Sequence, residues 1–424
     1  MSSGDDRTPG PTAGRDGDDG ARRRAAAGAA GGFVLLALLL ASVNLRAHLA
    51  SLPPVVDDVA ASLGLTSAGV GLLTSVPVLC FALFTPAASA LTARLGPERA
   101  ITLGLLGILG GTLLRSTGSV TTAMAGTAVL GVGITIGNVA VPVVIARDFR
   151  DRAASVTGAY AATMNAGSTV TTLLTVPLAV AYGWQWALAG WGVLAVLALA
   201  AWVPAGRGLA AHHRGEAAGR PQGVAPHAEA GRGTGTAQRR LVVLLTVAFA
   251  GQASGYYAMT AWLPSILGDQ VGLAPAAAGG GAAPFQLAAV AGAFLVPLAL
   301  ARRVPARAVA TTLSLLWIAL PVGILAAPDL WWLWVCCAGV AQGGNFTVVM
   351  TLLAQRSPTV AAARRGSAVV QTAGYGCAAA APTALGAVHE ATGGWAAPLL
   401  VVLALLVAMT VALWAASRPT YLDR

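Results

Sequence analysis

Long apolar stretches alternate with short polar connections along almost the whole chain. Most stretches reach or exceed about 20 residues, the length that a helix needs to cross a hydrocarbon core of roughly 30 Å. The pattern therefore predicts an all-α membrane protein with twelve transmembrane helices. Their approximate limits are 33–54, 67–92, 99–117, 120–146, 153–182, 184–204, 240–267, 275–301, 306–326, 330–354, 365–388 and 395–416.

Three polar segments without apolar periodicity frame these spans. We predict a disordered cytoplasmic tail over residues 1–32, a flexible cytoplasmic linker over residues 205–238 and a short cytoplasmic tail over residues 418–424. The linker divides the spans into an N-terminal six-helix bundle at 33–204 and a C-terminal six-helix bundle at 239–417.

The two bundles repeat short patterns in the same order, which indicates a duplication. The recurring pairs are Gly64 and Gly272 at an offset of 208, Arg94 and Arg302 at 208, Gly137-Asn138 and Gly344-Asn345 at 207, and Gly183-Trp184 and Gly394-Trp395 at 211. Each pair is weak evidence, but four pairs in order at nearly one offset predict two pseudo-symmetric halves around a central cavity.

Composition narrows the class of protein further. Hydrophobic residues make up 56% of the 424 residues and charged residues only 10%, and the mean hydropathy is +0.72. A soluble protein would carry about 25% charged residues. The net charge of +10 comes from arginines spread over loops and tails. We therefore expect the lipid bilayer, and no nucleic acid, as the surroundings of this chain.

Arginine placement predicts the orientation of the spans. Alternate connections carry Arg94/Arg99, Arg147/Arg150/Arg152, Arg207 to Arg240, Arg302/Arg303/Arg307 and Arg356/Arg364/Arg365. The intervening connections carry acids, namely Asp57/Asp58, Asp269, Asp329 and Glu390, with Arg115 as the one basic exception. Because basic loops stay on the cytoplasmic side, we predict a multi-pass protein of the cytoplasmic (inner) membrane with both termini in the cytoplasm.

The first span carries an arginine, Arg46, in its outer half. A charge at such a depth costs about 2.5–3.5 kcal/mol on insertion scales. No Asp or Glu lies clearly inside any predicted span. A bound anion could therefore neutralise Arg46, and its planar guanidinium suits a small carboxylate or a nitrate-like or cyanate-like group. The alternative is that Arg46 reaches outward or binds carbonyl groups near Pro53-Pro54.

Other polar residues inside the spans complete a predicted binding site between the halves. Amide and phenol groups can orient a small polar ligand, although each could equally make an interhelical hydrogen bond. The predicted substrate-binding residues are Arg46, Asn44, Asn138, Tyr257, Gln286, Asn345 and Gln371. His48 is the candidate proton relay, because its reference pKa of about 6.5 lies near physiological pH.

The sequence shows no signature of an enzyme. We find no phosphate-binding glycine-rich loop, no paired carboxylates and no metal-ligand spacing, so we expect no cofactor and no metal. The predicted function is secondary transport of a small anion, with protons as a possible coupling ion. Export of neutral or weakly basic drug-like compounds is the alternative. A third hypothesis, a non-transporting receptor or scaffold, is disfavoured because no extramembrane domain is available to signal.

Several motifs in this sequence resemble one transporter family. They are Asn44-Leu45-Arg46, the stretch 72–81, Gly137-Asn138 with Pro142, Arg147-Asp148-Phe149, Trp262-Leu263-Pro264, Phe285-Gln286-Leu287, Gln342-Gly343-Gly344, Gln371 with Gly374-Tyr375, and Gly394-Trp395. Together they resemble the cyanate/2-nitroimidazole transporter family of the major facilitator superfamily.

The resemblance implies twelve helices, alternating access by rocking of the halves, and movement of a small anion or a small nitrogen heterocycle such as a nitroimidazole. The architecture of two halves in one chain needs no partner, so we expect a monomer. Two departures stand out: Ala47 replaces the usual proline after Asn-Leu-Arg, and Ala93 replaces the usual acid before Arg94-Leu95-Gly96.

Overall fold

The computed structural model describes residues 15–218, 235–358 and 360–418. Helices dominate these ranges, and no strand occurs within them. The N-terminal half contains α1 (Arg15–Ala50), α2 (Val56–Leu63), α3 (Ser67–Leu95), α4 (Pro97–Arg115), α5 (Val120–Asp148), α6 (Ala153–Tyr182), α7 (Trp184–Gly190) and α8 (Gly192–Ala218). Helices α7 and α8 form one span that is interrupted at Trp191.

The C-terminal half repeats this arrangement after the linker. It contains α9 (Gly235–Val271), α10 (Pro275–Gly281), α11 (Ala283–Ala301), α12 (Ala306–Ala326), α13 (Trp331–Arg356), α14 (Val360–Thr392) and α15 (Ala396–Ala416). Helices α10 and α11 belong to one span. Each half therefore has six membrane-crossing segments, and the predicted fold class is confirmed.

Ten of the helical segments in the described ranges are long and apolar enough to cross a membrane by themselves. The other two spans are α4 and α14. Helix α4 carries three charged residues near its ends, and α14 is rich in small and polar residues. Both pack against neighbouring spans: α4 lies along α5, and α14 lies along α3 and α9. Packing against protein thus replaces part of the apolar surface that a lipid-exposed helix needs.

Several helix ends differ from the sequence prediction. Helix α1 ends at Ala50 rather than at Pro54, and Pro53–Val55 forms a 3₁₀ turn, because proline has no backbone N–H to continue the helix. The predicted tail over 1–32 is helical from Arg15, and residues 1–14 lie outside the described ranges. Helices α8 and α9 extend into the predicted linker, of which residues 219–234 lie outside the described ranges. Residues 419–424 of the C-terminal tail also lie outside them.

The two halves pack closely at the end that carries the acidic connections. Helix α3 crosses α14 there without a side chain between the backbones, because a Cβ atom on Gly71 would lie 2.6 Å from the Cα of Thr383. The hydroxyl groups of Ser75 and Thr383 are 3.0 Å apart. Glu390 of α14 accepts a hydrogen bond of 3.1 Å from the backbone N–H of Ala68 at the start of α3. The structure is therefore closed at this end.

Candidate substrate site between the halves

Arg46 lies in α1 on the side that faces the other half of the molecule. Glycines let the neighbouring helices approach this part of α1: a Cβ on Gly137 of α5 would come 2.3 Å from a methyl carbon of Leu45, and one on Gly167 of α6 would come 2.8 Å from a methyl carbon of Val43. Close contact of this kind is a common use of glycine between membrane helices. The side chain of Arg46 remains partly accessible.

The guanidinium of Arg46 binds one group from each half. Its Nη1 donates a hydrogen bond of 2.9 Å to Oδ1 of Asn165 in α6. Its Cζ lies 4.9 Å from the ring centroid of Tyr256 in α9, a cation–π contact across the interface. Both partners are neutral, and Arg46 forms no ion pair within the described ranges. The positive charge of Arg46 is therefore held in place without being neutralised.

Aromatic rings from both halves extend this site. Tyr257 meets Tyr256 edge to face at 4.9 Å between centroids and lies 6.3 Å from Phe81 of α3. Tyr375 of α14 lies 5.7 Å from Phe81 and 5.1 Å from Phe249. The predicted site residue Tyr257 thus belongs to an aromatic cluster that joins α3, α9 and α14 next to Arg46.

Three further predicted residues have hydrogen-bond partners of their own. Gln286 of α11 is buried, and its Oε1 accepts a hydrogen bond of 3.4 Å from the hydroxyl of Tyr256. Asn138 of α5 is half-buried, and its Oδ1 accepts a bond of 3.3 Å from the hydroxyl of Tyr160. Gln371 of α14 donates to the hydroxyl of Ser367, one turn away, at 2.8 Å. Gln286 is thus connected to Arg46 through Tyr256.

Asn44 and His48 lie on the opposite side of α1 from Arg46, so the structure does not bring Asn44 next to Arg46, and the binding role of Asn44 stays a prediction. Asn44 donates to the carbonyl of Leu194 in α8, and its Oδ1 lies 3.0 Å from Nε2 of His48. Nδ1 of His48 lies 3.1 Å from the hydroxyl of Thr112. The reason is helical geometry, because residues two apart on a helix point about 200° away from each other. The relay role of His48 stays a prediction, and this placement does not favour it.

Arg115, the basic exception in the orientation pattern, lies in the last turn of α4 and points inward. It is 2% exposed at the end of α4 and donates to the carbonyl of His48 at 3.1 Å and to the hydroxyl of Ser51 at 3.3 Å. Carbonyl groups in the last turn of a helix have no partner within that helix and carry partial negative charge. Arg115 therefore holds the end of α1, and hence the position of Arg46 along it.

Asn345, the repeat counterpart of Asn138, has different surroundings. It is fully buried inside the C-terminal half, and neither its Oδ1 nor its Nδ2 has a hydrogen-bond partner among the described residues. Its membership of a site between the halves stays a prediction.

The structure also shows contact residues that were not predicted as part of the site. Asn165 and Tyr256 make the direct contacts to Arg46, and Tyr160 and Tyr375 extend the polar and aromatic surface. All four are polar residues inside apolar spans, which is the signal that could have found them. The sequence does not show which of the neighbours Tyr256 and Tyr257 contacts Arg46, because this depends on which ring faces the guanidinium.

Within the described ranges, no group of three or more His, Cys, Asp or Glu side chains could hold a metal ion.

Two six-helix halves with a polar site at their interface are the arrangement of secondary transporters that are built from internal repeats. The family model described as Major Facilitator Superfamily matches residues 33–382, well over half of the chain. The chain belongs to the major facilitator superfamily.

Two named relatives support the resemblance to the cyanate/2-nitroimidazole transporter family. The chain is 33% identical over 375 residues to the 2-nitroimidazole transporter of Escherichia coli, covering 88% of this chain and 92% of that protein. It is 28% identical over 392 residues to the cyanate transport protein CynX of Escherichia coli, covering 88% and 95%. The predicted resemblance is thereby confirmed.

A solved structure supports the fold. The inward-open xylose transporter XylE of Escherichia coli matches with a TM-score of 0.72 at 12% identity, covering 92% of this chain and 96% of that one.

Proposed function

We propose that this chain carries a small anion across the membrane by alternating access, with Arg46 as the group that binds the negative charge. The observation that carries the proposal is the pairing of Arg46 with a neutral amide and a neutral ring, and with no carboxylate among the described residues. A guanidinium has several N–H donors in one plane, and only one of those of Arg46 donates a hydrogen bond to a residue in the described ranges. Cyanate-like, nitrate-like and small carboxylate ions fit this chemistry.

Helix contacts on both sides of Arg46 support a rocking mechanism. Asn165 belongs to the N-terminal half and Tyr256 to the C-terminal half, so separation of the halves would change the surroundings of the guanidinium. An anion bound between them would be exposed at one end of the molecule at a time.

The arginine-bearing connections support an inner-membrane protein with both termini in the cytoplasm. A site enclosed by one chain supports a monomer. The proposed cycle gives His48 no role in proton transfer.

A second candidate function is export of neutral or weakly basic aromatic compounds such as nitroimidazoles. The cluster of Tyr256, Tyr257, Tyr375 and Phe81 favours it, because aromatic walls suit a planar heterocycle. The name of the 2-nitroimidazole transporter points in the same direction. This function predicts that expression confers resistance and that Tyr257→Ala reduces transport more than a change at Arg46.

Uptake into proteoliposomes separates the two functions. Wild type, Arg46→Ala and Arg46→Lys are compared for cyanate, nitrate and formate, with Arg94→Gln as a control for loss of an exposed positive charge. We expect loss of anion uptake in Arg46→Ala and partial uptake in Arg46→Lys, which keeps the charge but not the planar fork. Anion uptake that persists in Arg46→Ala would reject the anion assignment.

A further inference from the structure

A pair of arginines lines a groove that is separate from the site around Arg46. Between α4 and α8, at the end of the bundle with the arginine-bearing connections, lies a cavity of about 430 Å³. Arg99 and Arg207 line it together with the apolar side chains of Leu95, Leu103 and Val203. Both arginines are exposed and make no hydrogen bond or ion pair with any described residue.

The one acid that lines this groove is already engaged. Glu98 is 8% exposed, and its carboxylate forms an ion pair with Arg147, which also binds Asp148. The backbone carbonyl of Glu98 accepts a hydrogen bond of 3.0 Å from the indole of Trp202. Arg147 divides its single charge between Glu98 and Asp148, so the carboxylate of Glu98 is only partly neutralised, but Arg99 and Arg207 leave the lining of the groove net positive.

The C-terminal half shows what lies between the two arginines that correspond to Arg99 and Arg207. At the repeat offset of 208, Arg99 corresponds to Arg307, and at the offset of 211, Arg207 corresponds to Arg418. In the C-terminal half both guanidinium groups lie on one indole: Cζ is 3.7 Å from the ring centroid of Trp414 for Arg307 and 4.6 Å for Arg418. The aromatic ring is the common partner of both cations there.

The N-terminal half has the same two cations but not the ring. At the offset of 211, the residue that corresponds to Trp414 is Val203, which lines the groove. Replacing a tryptophan by a valine removes both the bulk that would fill the groove and the π-face that would attract the cations. Two like charges then face one cavity, and an anion is the ligand that such a cavity attracts.

We propose that the groove between α4 and α8 binds the headgroup of an anionic phospholipid through Arg99 and Arg207. Leu95 and Leu103 are 38% and 43% exposed, which places apolar surface beside the charges, as a lipid with both a phosphate and acyl chains requires. Basic pockets between transmembrane helices bind anionic headgroups in this way. A soluble anion would use the charges but not the apolar flank.

Binding of phosphatidylglycerol to the purified full-length protein, measured by native mass spectrometry with titrated lipid, tests the proposal. The variants are Arg99→Gln/Arg207→Gln and Val203→Trp, and the matched control is Arg307→Gln/Arg418→Gln in the C-terminal half. At about 1 kcal/mol for each arginine, we expect roughly thirtyfold weaker binding in the first variant and wild-type binding in the control. Val203→Trp should lose the tight site by filling it.

Phosphatidylcholine and inorganic phosphate serve as competing ligands in the same titrations. We expect phosphatidylcholine and inorganic phosphate to bind weakly and phosphatidylglycerol to bind tightly. Equal affinity for phosphatidylglycerol in wild type and Arg99→Gln/Arg207→Gln would overturn the proposal. Displacement of the lipid by inorganic phosphate at comparable concentration would also overturn it, because the groove would then be a soluble-anion site.

Discussion

Nη1 of Arg46 lies 2.9 Å from Oδ1 of Asn165, so the arginine of the first span is bound to an amide where a carboxylate would fit. Asn165 is 4% exposed, and its Nδ2 is bound to the carbonyl of Ala161, which fixes its oxygen toward Arg46. The amide orients the guanidinium but leaves its charge available to a ligand. This pairing is the physical basis of the anion hypothesis.

Replacing Asn165 by aspartate should remove anion transport. Asn165→Asp is nearly isosteric and places a permanent negative charge within hydrogen-bond distance of Arg46. A hydrogen bond to a charged partner contributes about 1.5–3 kcal/mol, so we expect anion affinity to fall by roughly tenfold or more. Anion uptake into proteoliposomes measures the effect. Asn165→Ala is the control, because it removes the bond without adding charge and should retain anion binding; equal losses in both variants would count against the account.

Tyr256 should contribute through its ring rather than through its hydroxyl. Tyr256→Phe keeps the ring under Arg46 and loses only the bond of 3.4 Å to Gln286, so we expect nearly normal anion affinity. Tyr256→Leu removes the cation–π contact, which is worth about 0.5–2 kcal/mol, and should weaken affinity by roughly 2- to 30-fold. The measurement is the concentration dependence of uptake. A larger defect in Tyr256→Phe than in Tyr256→Leu would contradict this view.

A disulfide between α3 and α14 should arrest the transport cycle. The hydroxyl groups of Ser75 and Thr383 are 3.0 Å apart, which places the two residues within reach of a cystine bridge. The native cysteines of the described ranges are free, so the pair is made with all four replaced by alanine. Oxidised Ser75→Cys/Thr383→Cys should be inactive and should recover on reduction, whereas Ser75→Cys alone should respond to neither treatment. Full transport by the oxidised, cross-linked protein would show that these helices need not separate.

Loss of Arg115 should destabilise the fold even when no ligand is present. Arg115→Met keeps much of the volume but removes the donor to the hydroxyl oxygen of Ser51 and one of the two donors to the carbonyl of His48, which keeps only its bond from Ser51. A buried group left without its partner costs about 1–3 kcal/mol. We expect a lower melting temperature for the purified variant without ligand. Leu113→Met, an exposed change in the same turn of α4, should leave the melting temperature unchanged; equal melting temperatures in both variants would argue against the tie between α4 and α1.

Much of the fold follows from the sequence, because the length of an apolar stretch is a direct physical requirement of the bilayer. The importance of Arg46 follows in the same way from the cost of a charge inside an apolar span. The separation of Asn44 and His48 from Arg46 was accessible too, since the angle between positions on a helix needs no coordinates.

Other parts of the site depend on tertiary structure. Asn138 and Asn345 occupy equivalent positions in the repeat, yet one is half-buried next to Tyr160 and the other is fully buried. Arg115 lies beside a loop in the sequence, and only the packing of α4 against α1 shows that it points inward. Pattern and repeat identify where a residue lies along the membrane normal, but they do not determine which neighbour it faces.

The melting temperature of purified protein with added anions tests the central claim most directly, because a ligand that binds only the folded state stabilises it. Wild type and Arg46→Gln are compared in cyanate, nitrate, formate and acetate at constant ionic strength, with a neutral nitroimidazole alongside. Stabilisation of the wild type by at least one of these anions, and of Arg46→Gln by none, is the predicted result. Equal stabilisation of both proteins by the anions, or stabilisation by the nitroimidazole alone, would contradict the claim that Arg46 binds the transported charge.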